Sequence, residues 1–129
     1  MAGSLMTTPL QGFAVIDGSL CAFGPFGDRM PWHAPLATAV AEFRRGPFCT
    51  YVREQPFGLL SGLPNLYCLD GDGRLQWMAE WPAADDPCAA IVGESEGALV
   101  VRSESGAVVQ LDAAKGRLLS WEAAIAAAS

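Results

Sequence analysis

Gly97-Ala-Leu-Val-Val-Arg-Ser-Glu-Ser-Gly-Ala-Val-Val-Gln-Leu-Asp-Ala-Ala-Lys-Gly-Arg-Leu-Leu-Ser-Trp121 is the stretch whose reading decides the fold. It holds three short apolar runs, broken at Glu104-Ser-Gly106 and at Ala113 to Gly116 and closed by a tryptophan. Runs of this length bounded by glycine-containing turns read as β-strands. Weaker versions end at Trp32 and at Trp77, so the closing tryptophans lie 45 and 44 residues apart. A self-similar period of this size marks a repeated supersecondary unit.

The strand reading extends through the rest of the chain. Phe13 to Ile16 and Ser19 to Phe23 flank Asp17-Gly18, a two-residue hairpin signal in which both turn positions require positive φ. Arg29 to Trp32 reads as an edge strand, because Pro31 cannot donate to a central ladder. Pro47 to Arg53, Asn65 to Leu69 and Arg74 to Met78 read as strands, with Glu54 to Pro64 as loop. Cys88 to Val92 precedes the three strands of the opening stretch, after a break at Pro82-Ala-Ala-Asp-Asp-Pro87. Residues 35–46 admit two readings. Leu36, Val40 and Phe43 fit one face of a helix, whereas the count of strands per unit asks for a strand.

These runs give a single all-β domain of three blade-like antiparallel units, at about residues 12–34, 35–82 and 88–121. The units either form an incomplete propeller-like stack or settle as a compact sandwich or open barrel. Residues 1–11 form a lead-in whose first five residues read as an expression remnant ahead of Met6. Residues 122–129 form an Ala-rich tail that would make at best a short C-terminal helix. In each unit a glycine (Gly27, Gly73, Gly116) closes the turn ahead of the tryptophan (Trp32, Trp77, Trp121). The glycine supplies positive φ, and the indole supplies a flat surface for packing one sheet on the next.

Gly106 to Trp121 resembles the PQQ-type propeller repeat, in which a Gly-x-Val/Leu strand leads to Leu-Asp, a glycine turn and a tryptophan. Gly18 to Trp32 matches in part without the Asp, and Pro64 to Trp77 matches over its second half. The resemblance implies four-stranded sheets packed face to face. It also implies too few of them, because a closed propeller takes about four to eight blades. Self-association, as a homo-oligomer (a dimer closing six units) or with another protein, follows as the expectation. Quinone-dependent dehydrogenases of that family bind a quinone with calcium, and many carry a disulfide between adjacent cysteines. No adjacent cysteines occur here, so no cofactor is expected.

Composition narrows function by exclusion. The net charge of −6, with eight scattered Lys and Arg, lacks the clustered positive surface of a nucleic-acid binder. No apolar run reaches the ~20 residues of a membrane-spanning helix, and no signal peptide is visible at the start. Cys21, Cys49, Cys68 and Cys88 sit singly among apolar residues, without metal-ligand spacing. They read as free thiols of a reduced compartment, so the expected location is the cytoplasm, or the periplasm if a signal peptide has been removed.

Candidate sites are few. His33 is the single histidine, so side-chain nucleophilic catalysis of the Ser-His kind would run through it, with Asp28 as the nearest carboxylate. Asp70-Gly-Asp-Gly73 tempts a calcium reading, but an EF-hand wants an oxygen ligand, a glycine and a glutamate where Arg74, Leu75 and Trp81 stand. Asp85, Asp86, Glu94, Glu96 and Glu104 lie on expected turns of the last unit and would form a negative patch if those turns share one end. Trp81, four residues after Trp77, reads as core or as a platform for flat ligands. The leading expectation is a non-enzymatic binding or assembly module acting through sheet edges and turn loops. The alternatives are a small enzyme built on His33 with a nearby carboxylate, and an immunity-like acidic protein that neutralises a basic partner.

Overall fold

The computed structural model describes residues 12–47, 49–57 and 63–123. Among them there is no helix, and eleven strands make three antiparallel meanders. Sheet 1 has β1 (Gly12–Ile16), β2 (Ser19–Phe23) and β3 (Arg29–His33). Sheet 2 has β4 (Val40–Arg45), β5 (Thr50–Glu54), β6 (Leu66–Leu69) and β7 (Leu75–Met78). Sheet 3 has β8 (Cys88–Ser95), β9 (Ala98–Ser103), β10 (Val108–Asp112) and β11 (Leu118–Glu122). No sheet closes on itself, and neighbours in each are consecutive in sequence.

Local chemistry explains these elements. Asp17 and Gly18 both take positive φ, 53° and 78°, as a two-residue hairpin of this kind demands. The strands of sheet 2 run buried along β6, because both faces are covered, and apolar residues fill both. In β10 burial alternates, with Val109 and Leu111 inside and Val108 and Gln110 outside. Residues 35–46 resolve as a bend followed by the strand β4, whose Val40 is buried against the first core cluster. The Glu54 carboxylate collects the N–H groups of Leu36, Ala37 and Thr38, which fixes the bend and leaves no helical turn there. Of the Ala-rich tail, Glu122 ends β11, while residues 124–129, like the lead-in, lie outside the described residues.

Two apolar seams join the sheets. Leu20 of sheet 1 meets Val40, Val52, Tyr67 and Leu69 of sheet 2, with Phe13, Val15, Trp32 and Phe43 packed alongside. On the other side of sheet 2, Tyr51, Leu66, Cys68 and Trp77 meet Leu99, Val101, Val109 and Leu111 of sheet 3. Sheet 2 is therefore the middle layer.

At each seam a tryptophan of one sheet covers the turn glycine of the next. A Cβ on Gly73 would stand 3.2 Å from the Trp32 indole, and one on Gly116 would overlap the Trp77 indole outright. Both glycines have positive φ, 81° and 73°. Trp121 departs from this arrangement. A bulge at Leu119 puts Ser120 opposite Gln110 and Trp121 opposite Val109, whereas Trp77 stands opposite Cys68. Val109 faces back into the seam with sheet 2, so Trp121 hangs at the outer strand edge on that same side, half exposed. Ser120 stands between the Leu119 bulge and Trp121, whereas Trp77 follows its bulge directly, and this gives the one-residue slip.

Candidate functional site

Charged and polar groups gather at three places. The first lies inside the seam of sheets 1 and 2. Glu54 is 1% exposed, yet its carboxylate accepts from three backbone N–H groups and from the Tyr67 hydroxyl. Tyr67 Oη in turn lies 2.9 Å from His33 Nε2. Burial acts to raise the Glu54 pKa, but the hydrogen bonds from Thr38, Tyr67, Leu36 and Ala37 outweigh it and hold the group below the usual glutamate range. Burial lowers the His33 pKa, with the Glu54 charge opposing in part. Tyr67 is raised by burial and by its bond to Glu54, so it stays a neutral donor. His33 is thus tied to Tyr67 and Glu54. Asp28 lies before the start of β3 and His33 at its end, about 16 Å of extended chain apart at ~3.3 Å per residue.

The second place is a cleft of about 460 Å³ between sheets 2 and 3. Tyr51 and Trp77 form its aromatic walls, their ring centroids 6.1 Å apart at 42°. The free thiols of Cys49 and Cys68 line it, and the carboxylates of Glu94 and Asp112 stand among its lining groups. Tyr51 Oη donates to Glu94 Oε1 at 2.9 Å, and Trp77 Nε1 donates to the Ala113 carbonyl at 3.2 Å. Burial, then the bonds to its neighbours, raises the Tyr51 pKa, so the hydroxyl keeps its proton. Burial likewise pushes the Cys68 thiol up, which leaves it protonated and a poor nucleophile.

The third place is the outer face of sheet 3, where Val92, Val108 and Leu119 are 49%, 40% and 57% exposed. The matching side of sheet 2, with Tyr51, Leu66, Cys68 and Trp77, is buried under sheet 3. At the opposite end of the stack, the Gly27 turn is bare. Gly27 has φ of 82°, a Cβ there would meet nothing within 4 Å, and the adjacent Phe26 is 93% exposed.

The five acidic residues expected on one face are divided between two. Glu94, near the end of β8, and Glu96, in the β8–β9 turn, lie at one end, while Asp85, Asp86 and Glu104 belong to the other end of β8. An eight-residue strand separates the groups by about 23 Å at ~3.3 Å per residue. Asp86 acts locally. Its carboxylate accepts from Ser105 N and Oγ at 2.8 and 2.7 Å, tying the β9–β10 turn to the linker before β8. Trp81 donates from Nε1 to the Asp86 carbonyl at 2.7 Å and packs on the core of the second seam. Asp70 closes its own turn by accepting from the N–H groups of Asp72 and Arg74.

Among the described residues, no group of three or more His, Cys, Asp or Glu side chains is placed to hold a metal ion. Sequence reasoning misses Tyr51, Cys49, Cys68 and Asp112, which come together from two sheets. Tyr51, Cys49 and Cys68 read in sequence as ordinary core residues and Asp112 as a turn residue, so no shared signal marks them. The chain matches no protein-family model and no curated protein sequence.

Proposed function

We propose that the chain is a non-enzymatic assembly module whose partner is a second copy of itself, joined head to tail. The observation that carries this is the docking contact the chain makes twice and leaves half-made at both ends. Trp32 covers Gly73 and Trp77 covers Gly116, while the turn glycine of sheet 1, Gly27, is bare beside exposed Phe26. At the far end, Val92, Val108 and Leu119 sit uncovered on a face whose counterpart in sheet 2 is buried. The two bare surfaces stand where the two halves of the internal seam would, with Val92, Val108 and Leu119 taking the place of a tryptophan, so in this reading the outer face of sheet 3 in one copy receives the Phe26–Gly27 turn of the next.

Such a heterologous contact closes a ring when the rotation between copies completes the circle. Two copies bring six sheets together, within the range of about four to eight blades that propellers use. The resemblance of Gly106–Trp121 to the PQQ-type repeat supports this reading. Apolar side chains on an unpaired sheet face favour association, since burying them gains about 25 cal/mol per Å².

Light scattering after size exclusion tests it. The expected mass is twice 13.6 kDa. Leu119→Asp in the outer face should yield a folded monomer. A strict monomer at high concentration, or a dimer indifferent to Leu119→Asp, would rule the reading out.

A further inference from the structure

The cleft between sheets 2 and 3 takes no part in that assembly, and its chemistry points to a ligand. Its volume of about 460 Å³ falls in the range of about 300–1,000 Å³ typical of small-molecule sites. Two aromatic rings, Tyr51 and Trp77, line it, their centroids 6.1 Å apart and their planes inclined at 42°.

Charge decides which ligand suits these walls. The one ion pair among the described residues joins Arg53 to Glu42, away from the cleft. Glu94 and Asp112 therefore line it with no cationic partner among the described residues. Glu94 uses Oε1 to accept from Tyr51, and Asp112 uses Oδ1 to accept from the Ala114 N–H, which leaves each carboxylate a second oxygen with no side-chain partner among the described residues. The chain as a whole carries a net charge of −6, which raises the local concentration of cations and repels anions. The Cys49 and Cys68 thiols complete an apolar floor.

We propose that this cleft binds a small aromatic ammonium ion, with its ring on the apolar lining of Pro47, Ala113 and the accessible edge of Trp77 and its ammonium group at Glu94 and Asp112. The two parts of the ligand answer two separate features: the apolar body fills the wall, and the cation supplies the charge the rim lacks. An aromatic carboxylate of the same size would place an anion beside two others. Neutral indoles would fill the wall but leave the rim unpaired.

The test uses the intact chain with tryptamine and its charge-inverted counterpart, indole-3-propionate. Titration calorimetry together with amide and indole NMR shifts reads both affinity and place. Tryptamine should bind once per chain, shift the Trp77 indole and the Gly97 and Ala113 amides, and weaken as salt rises. Indole-3-propionate should bind at least about tenfold more weakly, since losing one charge-assisted contact costs about that factor. Glu94→Gln keeps an acceptor for Tyr51 and should reduce tryptamine affinity by about tenfold. Equal affinity for the two ligands, shifts confined to residues outside the cleft, or no binding of tryptamine would each overturn the proposal. The ligand comparison on the unmodified chain decides the matter even if Glu94→Gln fails to fold. The assembly reading stands or falls separately, on mass and on Leu119→Asp.

Discussion

The two seams of this molecule solve the same packing problem with different chemistry. Between sheets 1 and 2, an apolar layer of Leu20, Val52 and Leu69 is pierced by a polar post running from His33 through Tyr67 to Glu54. Between sheets 2 and 3, Leu66, Cys68, Leu99, Val101 and Leu111 form a larger core, with Glu94 and Asp112 at the cleft and the buried Asn65 amide between the sheets. Trp32 lies edge-on to Phe13, with centroids 4.7 Å apart, and is only partly buried, whereas Trp77 is 8% exposed and pressed on Gly116. The second seam is held by burial over its larger core and by the Asn65 amide, which donates to the Glu54 and Cys88 carbonyls and accepts from Cys88 N–H. The first is held jointly by burial and by one carboxylate that organises a loop. That contrast predicts which substitutions hurt and by what route.

The largest effect should come from emptying the tighter seam. Trp77→Ala removes a buried indole and should cost about 3–5 kcal/mol in denaturant-derived stability. Trp32→Ala, in the looser seam, should cost clearly less, and equal losses would undo the contrast. Gly116→Ala comes next, at about 2–4 kcal/mol, because the new methyl overlaps Trp77 and the backbone stays at positive φ. Gly27→Ala, with the same left-handed backbone and open space, should cost only about 1–2 kcal/mol, the conformational part alone.

Glu54→Gln probes the polar post. The amide keeps one acceptor but turns a donor toward groups that already donate, so a loss of about 1.5–3 kcal/mol is expected. Exchange protection of the Leu36, Ala37 and Thr38 amides should fall with it, while the amides of sheet 3 keep theirs. A uniform loss across all sheets would mean that Glu54 acts on the whole fold and not on the first seam.

The smallest effect is the pH dependence of that seam, and its sign can be worked out. His33 has a folded pKa below its ordinary value, so below about pH 6.5 the unfolded chain binds the proton more readily and stability drops. Glu54 also has a lowered folded pKa, so its contribution is present above the ordinary glutamate value of about 4.3 and is lost as pH falls through the folded one. Melting temperature should therefore decline in two steps on acidification. His33→Gln should remove the upper step and Glu54→Gln the lower. An unchanged profile in His33→Gln would show that His33 is not the group titrating.

Much of the architecture is local information. Asp17-Gly18, Glu96-Gly97, Gly106 and Gly116 carry the positive φ angles that turn the chain, and each is an Asp, Glu or Gly at a turn visible in the sequence. The Pro82 to Pro87 break separates sheet 2 from sheet 3, as its composition suggests. Residues 35–46 are ambiguous in sequence because Leu36, Val40 and Phe43 fit a helical face. What decides them is remote: the Glu54 carboxylate, which reads as the start of a loop but closes β5. The equivalence of the three tryptophans is legible only as spacing. One additional residue after the bulge, Ser120, turns Trp121 toward the side of sheet 3 that faces sheet 2. Spacing cannot resolve that outcome, because side chains alternate at every residue.

By itself, then, the sequence determined an all-β chain of three antiparallel units with named turns, since alternation, glycine φ and proline are properties of neighbouring residues. Tertiary structure alone decided which groups meet: Glu54 with residues 36–38, His33 with Tyr67, and Tyr51, Trp77, Glu94 and Asp112 around one cleft. It also split the acidic residues of sheet 3 between two ends. These pairings depend on the register and stacking of separate sheets, where side chains tens of residues apart come within a few ångströms, and no local pattern carries that information.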